Sequence, residues 1–211
     1  MLGRTNERGD TLVEVLFAVS IFSLIVVGAL SLMNQGTATS QRALESTLVR
    51  QQMDAQAETL RFMHDAYIAA YYPGITFNTT DSTTSPAEEW SKISSRATTD
   101  AKVTDFGTCY EFTTGNRPPA TSFVLDPQTV RVVTNSAQLT AAQTWSQLSR
   151  SSGTFSSQGL WIEAVRASAS SDPAQANMSS IDFHIRACWD AVGTKQPMTL
   201  GTIVRLYEPR G

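Results

Sequence analysis

The feature that most constrains the fold is an uncharged apolar run near the N-terminus. It extends from Val15 to Met33 and reads VLFAVSIFSLIVVGALSLM, 19 residues without a charged side chain. A helix needs about 20 apolar residues to cross the hydrocarbon core of a bilayer. The run therefore predicts a transmembrane helix, and a single-pass signal anchor is the simplest protein that contains one.

The residues before the run predict its orientation. Residues 1–9 carry Arg4 and Arg8 against Glu7, and basic residues next to a membrane span stay on the cytoplasmic side. The rest of the chain is then expected to be exported. A secretory signal peptide has a shorter apolar core that ends in a small-residue cleavage site. Residues 33–36, at the far end of this run, contain no clear site of that kind.

A single carboxylate lies at the predicted cytoplasmic end of the apolar run. Glu14 directly precedes Val15 and follows the short segment Gly9-Asp10-Thr11-Leu12-Val13. An ionised carboxylate costs roughly 2.5–3.5 kcal/mol at the centre of a membrane helix, and less near its end. A passive anchor gains nothing from that cost. The alternative is that Glu14 reaches back to the cytoplasmic headgroups.

The leader, the glycine, the glutamate and the apolar run together resemble the N-terminus of type IV pilin precursors and their pseudopilin relatives. In that family a prepilin peptidase cuts after the glycine, and the glutamate pairs with the free α-amine of a neighbouring subunit. The resemblance implies cleavage between Gly9 and Asp10, N-methylation at Asp10, and a role in assembly and registration for Glu14. The family usually has phenylalanine at the first mature position. The resemblance covers residues 1–33.

A second helical pattern follows the apolar run. No proline occurs from Asn34 to Tyr72, and Pro73-Gly74 ends the pattern. Steps of three and four place apolar residues on one stripe, which we expect to lie in a domain core: Leu44, Leu48, Val49, Met53, Ala57, Leu60, Met63, Tyr67 and Tyr71. The pilin resemblance implies one long helix, half in lipid and half packed on an antiparallel sheet, which is an α+β fold.

The sequence predicts a β-rich head after this helix. Residues 75–104 are polar and threonine-rich, which predicts a loop. Ala137 to Leu148 predict a short helix capped by Ser136, and residues 153–157 predict a loop. Alternating patterns predict strands at 109–112, 122–125, 129–133, 159–165, 181–189 and 199–207. The predicted organisation is a leader at 1–9, a transmembrane and assembly helix at 10–33, its amphipathic continuation at 34–72 and the head at 73–211.

Cys109 and Cys188 are the two cysteines of the chain. An extracytoplasmic head would permit a disulfide between them, and two free core thiols are the alternative. Strand alternation places Cys188 with His184 and Arg186, on the more polar face of its strand. The same alternation places Cys109 with Glu111 on the more polar face of its predicted strand. A bond between the two cysteines would therefore require the two strands to be neighbours.

The sequence contains no recognisable catalytic pattern. His64 and His184 are its two histidines, and no nucleophile elbow, phosphate loop, metalloprotease helix or dinucleotide fingerprint occurs. We therefore expect neither an enzyme nor a metal or cofactor site. The net charge of −3 disfavours nucleic acid in bulk. A local DNA-binding strip is the alternative to scattered arginines that neutralise acidic neighbours; its members would be Arg166, Arg186, Arg205 and Arg210, with Trp161 and Trp189 nearby.

These observations favour a minor pilin-like subunit of a type IV pilus or related filament. Its expected partners are other pilin subunits, prepilin peptidase, the membrane assembly platform and, before assembly, membrane lipid. It would reside in the cytoplasmic membrane with its N-terminus inside and then in a cell-surface filament. The alternatives are a permanently anchored surface binding protein and a pseudopilin of a type II secretion system.

Overall fold

The computed structural model describes residues 10–78, 85–99, 109–110, 118–166 and 179–209. Its element order is α1 (Asp10–Ala70), α2 (Pro86–Ser94), β1 (Val124–Asp126), β2 (Arg131–Val133), a 3₁₀ turn (Ser136–Gln138), β3 (Leu139–Thr140), β4 (Gln147–Ser151), β5 (Thr154–Gln158), β6 (Leu160–Arg166), β7 (Ser180–Trp189) and β8 (Met198–Tyr207). The chain forms two compact units, residues 1–44 and 45–211. The fold class is α+β, as predicted.

Helix α1 ends two residues before the predicted position. Its last residue is Ala70, and the chain then turns through Gly74, whose φ of +89° favours glycine. The middle of the predicted apolar stripe is buried: Val49, Met53, Ala57, Leu60 and Met63. Leu44 is exposed, so the buried part of the stripe begins one turn later than the pattern predicts.

Strands β6, β7 and β8 form an antiparallel sheet in that order. Ile185 at its centre stands opposite Ile162 on β6 and Thr202 on β8. Phe183 of β7 contacts Trp90 of α2, with ring centroids 5.4 Å apart. One continuous core thus joins the second half of α1, α2 and this sheet. Two smaller sheets, β1–β2 and β3–β5–β4, complete the described fold.

The loop predicted at 75–104 contains helix α2, so that prediction was wrong. Ser85 caps the helix in a reciprocal capping box: its backbone N–H donates to Glu88, and the Glu88 N–H donates to the Ser85 hydroxyl. Pro86 occupies the first turn, where a missing N–H costs nothing. The sequence Ser-Pro-Ala-Glu is the signal that would have predicted this helix.

The short helix predicted at Ala137–Leu148 was also wrong. Ser136 begins a single 3₁₀ turn capped by Asn135, and the rest of the range contains β3 and the first two residues of β4 but no α-helix. Residues 154–157 of the loop predicted at 153–157 belong to β5, which pairs antiparallel with β4. Ser152 and Gly153 join the two strands with φ of 49° and 81°, the backbone of a tight two-residue hairpin turn.

Candidate functional site: the apolar half of α1 and the disulfide-linked head

The first half of α1 is long and apolar enough to cross a membrane. Its most apolar 18-residue window has a mean hydropathy of 2.6, and none of that window is buried. Leu24 and Phe22 leave 74% and 67% of their surface exposed. A helix that is apolar on all sides and buried in no protein core has the character of a membrane span.

The hydroxyl groups of two serines within the apolar run are hydrogen-bonded to the helix backbone. Ser20 donates to the Leu16 carbonyl at 2.7 Å, and Ser23 donates to the Val19 carbonyl at 2.8 Å. An unsatisfied polar group costs several kcal/mol in hydrocarbon. These bonds to the helix's own backbone therefore make both serines compatible with lipid.

Glu14 lies on the first turns of α1 with its side chain exposed. It is the one charged residue between Leu12 and Gln41. The predicted cleavage position lies at the border of the described residues: Gly9 is outside them, and Asp10 is the first residue of α1. The structure thus brings the carboxylate onto the same helix as the apolar run, one turn after the predicted new amino terminus.

In the head, Cys109 and Cys188 form a disulfide, with their Cα atoms 5.4 Å apart. Cys188 is buried rather than on an open polar face. Cys109 and Tyr110 form no strand, contrary to the prediction at 109–112, and the other half of that predicted strand lies outside the described residues. The bond instead fastens the segment at 109–110 over the face of β7 that carries Cys188.

That covered face contains a buried ion pair. The Arg186 Nε atom lies 3.8 Å from Glu163 Oε1, and the Trp161 indole N–H donates to the same carboxylate at 3.0 Å. Tyr110 packs edge-on against Trp161, with centroids 5.1 Å apart. Burial, followed by the Glu163 charge, raises the pKa of Tyr110. This face of β7 is therefore buried at Arg186 and Cys188, whereas Asp182 and His184 farther along it are half-buried.

The arginines considered for DNA contact are engaged with carboxylates. Arg166 pairs with Glu208, and Arg186 pairs with Glu163. Arg205 makes two hydrogen bonds to Asp182, at 2.6 and 2.7 Å, which hold the pKa of Asp182 below its ordinary value. Arg210 lies outside the described residues. Trp161 and Trp189 are both buried.

The surroundings of the two histidines are those of residues packed within the fold. His64 Nε2 lies 2.8 Å from the Tyr207 carbonyl oxygen, and its ring meets Trp90 edge-on. Burial, followed by the Arg186 charge, lowers the pKa of His184. Across the described ranges, no three His, Cys, Asp or Glu side chains form a group that could hold a metal ion.

Sequence reasoning missed the buried polar residues that position the head. Gln56 on α1 is completely buried and makes two bonds to the Leu125 backbone: its amide donates to the carbonyl at 2.7 Å and its oxygen accepts from the N–H at 2.8 Å. Glu89 on α2 accepts the Val132 N–H at 2.8 Å. A glutamine next to an apolar stripe was the available signal, but its partner is 69 residues away.

Comparisons of the chain with family models, with curated proteins and with solved structures give no match.

Proposed function

We propose that this protein is a minor pilin-like subunit of a type IV pilus or related filament. Prepilin peptidase removes residues 1–9, and the subunit leaves the membrane to pack through the first half of α1. The observation that supports this most is the combination on one helix of a fully exposed apolar run and a single carboxylate, Glu14.

The physical role of Glu14 in this proposal is registration. A buried carboxylate that loses its partner is strongly destabilising, by about 3–5 kcal/mol. In a filament core, the α-amine released at Asp10 of one subunit neutralises Glu14 of another. A subunit added out of register leaves both charges bare, so the pair selects the correct position rather than adding net stability.

Intact mass after co-expression with a prepilin peptidase tests the processing step. We expect the chain to lose the mass of residues 1–9 and to gain one methyl group at Asp10. A Gly9→Val variant, which blocks approach to the scissile bond, is expected to keep the full mass. An uncut wild-type chain favours the alternative, a permanently anchored surface protein.

Filament incorporation tests the role of Glu14. We expect Glu14→Gln to be cleaved and inserted in the membrane but to be absent from sheared filaments. Glu58→Gln is the matched control, because Glu58 is an exposed acid on the second half of the same helix. Equal incorporation of both variants would remove the registration role. Whether the filament belongs to a pilus or to a type II secretion system follows from the machinery that assembles it.

A further inference from the structure

The two edges of the β6–β7–β8 sheet differ in the described structure. The edge formed by β6 is closed by residues from outside the sheet. Ile162 exchanges two backbone hydrogen bonds with Phe123, at 2.8 and 3.0 Å. Thr98 donates to the Ala164 carbonyl at 3.0 Å and accepts the Arg166 N–H at 2.7 Å. No such pairing closes the other side among the described residues.

The register identifies the groups on the outer edge of β8, the side that faces away from β7. The Glu208 N–H donates to the Ser179 carbonyl at 2.9 Å, in phase with the β7–β8 pairing. Because hydrogen-bonded pairs alternate along an antiparallel ladder, the even-numbered residues of β8 bond to β7. The odd-numbered residues from Thr199 to Tyr207 therefore direct their backbone groups outward. Within the described ranges, the Tyr207 carbonyl, beside His64, is the outward group that has a partner.

Strand β8 carries few of the features that normally protect an edge. It contains no proline and no lysine, and Arg205 is tied to Asp182. Ile203 and Tyr207 leave 60% and 55% of their surface exposed. A long strand with free N–H and C=O groups is a template for pairing with another strand.

A cavity of about 280 Å³ lies next to this edge, between β8 and α1. Its lining consists of Arg50, Met53, Asp54, Leu200, Gly201 and Thr202. Side chains of a strand alternate between the two faces of its sheet, so a strand added to β8 directs every second side chain to the side of α1. Main-chain pairing combined with a pocket for alternate side chains is a recurring mode of peptide recognition.

We propose that the outer edge of β8 binds an extended segment of a different protein, which becomes a fourth strand of this sheet. The lining defines the chemistry of that segment. An apolar side chain lies over Met53 and Leu200, flanked by an acidic side chain near Arg50 and a basic one near Asp54. The backbone groups from Thr199 to Arg205 supply the main-chain hydrogen bonds.

A second copy of this chain fits the edge less well. Antiparallel pairing of two β8 strands makes a two-fold interface, in which the two α1 helices run in opposite directions. Two chains whose heads emerge from one membrane in the same orientation cannot adopt that arrangement, a step that rests on the proposed function. Pairing of β8 with the β6 edge of another copy meets the residues that close that edge.

Residue-resolved amide hydrogen exchange on the full chain in detergent micelles tests the proposal. The probe is a synthetic seven-residue peptide, Thr-Glu-Thr-Leu-Thr-Lys-Thr, in which threonine alternates with glutamate, leucine and lysine. We expect the free chain to exchange rapidly at Thr199, Gly201, Ile203 and Arg205 and slowly at the even positions between them. The bound peptide should slow amide exchange at the odd positions at least tenfold, which corresponds to about 1.4 kcal/mol of added protection. A scrambled peptide should not slow it.

Two variants of Ile203 distinguish strand pairing at the β8 edge from nonspecific binding of the peptide to the surface. Ile203→Pro removes an outward N–H and should weaken peptide binding about tenfold, since a hydrogen bond contributes about 1 kcal/mol and proline also misfits a paired strand. Ile203→Thr keeps the N–H and should bind within about twofold of wild type. If the proline variant does not fold, amide exchange in the wild-type chain with and without the peptide still tests whether the peptide pairs with β8.

Four results would overturn the proposal. Odd and even positions that are equally slow in the free chain would mean that the chain covers its own edge. Protection that rises with protein concentration without peptide would mean that a second copy is the occupant. Equal protection by the scrambled peptide, or none at millimolar peptide, would remove strand addition. None of these measurements involves cleavage or filament assembly, so they are independent of the proposed function.

Discussion

The two halves of α1 form one helix from Asp10 to Ala70 but carry opposite surfaces. In the first half, apolar side chains point in every direction and remain exposed, as Leu24 does at 74%. In the second half, Leu60 and Met63 are fully buried in the head core, and charged side chains occupy the other faces. The same secondary structure is therefore suited to an apolar environment such as lipid in one half and to the core of a water-soluble domain in the other.

The difference shows that helix formation and burial depend on different features of the sequence. Both halves lack proline, and both form the helix. What changes is the angular distribution of apolar side chains, which is all round before Asn34 and a stripe after it. A stripe can be satisfied by one sheet, whereas an all-round apolar surface needs a bilayer or a ring of neighbours.

The largest expected effect on the head half comes from the disulfide. Cys109 and Cys188 are 79 residues apart, and closing a loop of that length restricts the unfolded chain by about 4 kcal/mol. We expect reductant to lower the denaturant midpoint of the head strongly while the first half of α1 stays helical in micelles. The Cys109→Ala, Cys188→Ala double variant is the control, because its midpoint should not respond to reductant. An unchanged wild-type midpoint would show that the bond adds no stability.

A matched pair of leucines tests the comparison directly. Leu60→Ala removes a fully buried side chain and should lower the free energy of unfolding by about 3 kcal/mol. Leu24→Ala removes an exposed one and should leave the unfolding of the head unchanged. Urea denaturation of the full chain in micelles measures both. Equal losses would mean that the first half of α1 also contributes to the head core.

Gln56 sharpens the comparison within the second half. Gln56→Leu keeps the side-chain volume but leaves the Leu125 N–H and C=O without the glutamine, which should cost about 2 kcal/mol. Gln51→Leu, at an exposed position of the same helix, should cost less than about 0.5 kcal/mol. Faster exchange of the β1 amides in the Gln56 variant alone would tie the loss to this contact.

The smallest effect we expect is a change in acid stability through Asp126. Burial alone raises the pKa of Asp126, but hydrogen bonds from Thr129, Arg150 and the Gln128 backbone outweigh it and hold the pKa below its ordinary value. A lowered folded-state pKa gives stability that is present above the unfolded pKa and is lost as the pH falls through the folded pKa. Unfolding measured between neutral and acidic pH should therefore be less pH-dependent in Asp126→Asn. An unchanged slope would contradict the assignment.

Local patterns predicted some elements of the head well and others wrongly. The alternation at 181–189 predicted β7, and that at 199–207 predicted β8, each within one residue. The Ser85 capping box and the Ser152-Gly153 turn are local sequence signals that are typical of α2 and of the β4–β5 hairpin. The sequences of β4 and β5 look like loop sequences because they contain few apolar residues, so they show no alternation of apolar and polar side chains.

The role of Cys188 shows a different kind of limit. Alternation correctly grouped Cys188 with Arg186 and His184 on one face of β7, but it could not show that the segment at 109–110 covers that face. Burial on the second side of a strand depends on a chain segment far away in sequence. The ion pair of Arg186 and Glu163 has the same origin.

The sequence by itself determined the apolar half of α1, the carboxylate at its lip and the buried stripe that continues it, because helix periodicity and membrane length are local properties of the chain. Tertiary structure decided the Gln56 contact with β1, the cover over β7 and the difference between the two sheet edges. Those features depend on which distant backbone groups meet, and hydrogen bonds between residues far apart in sequence leave no periodic trace in it.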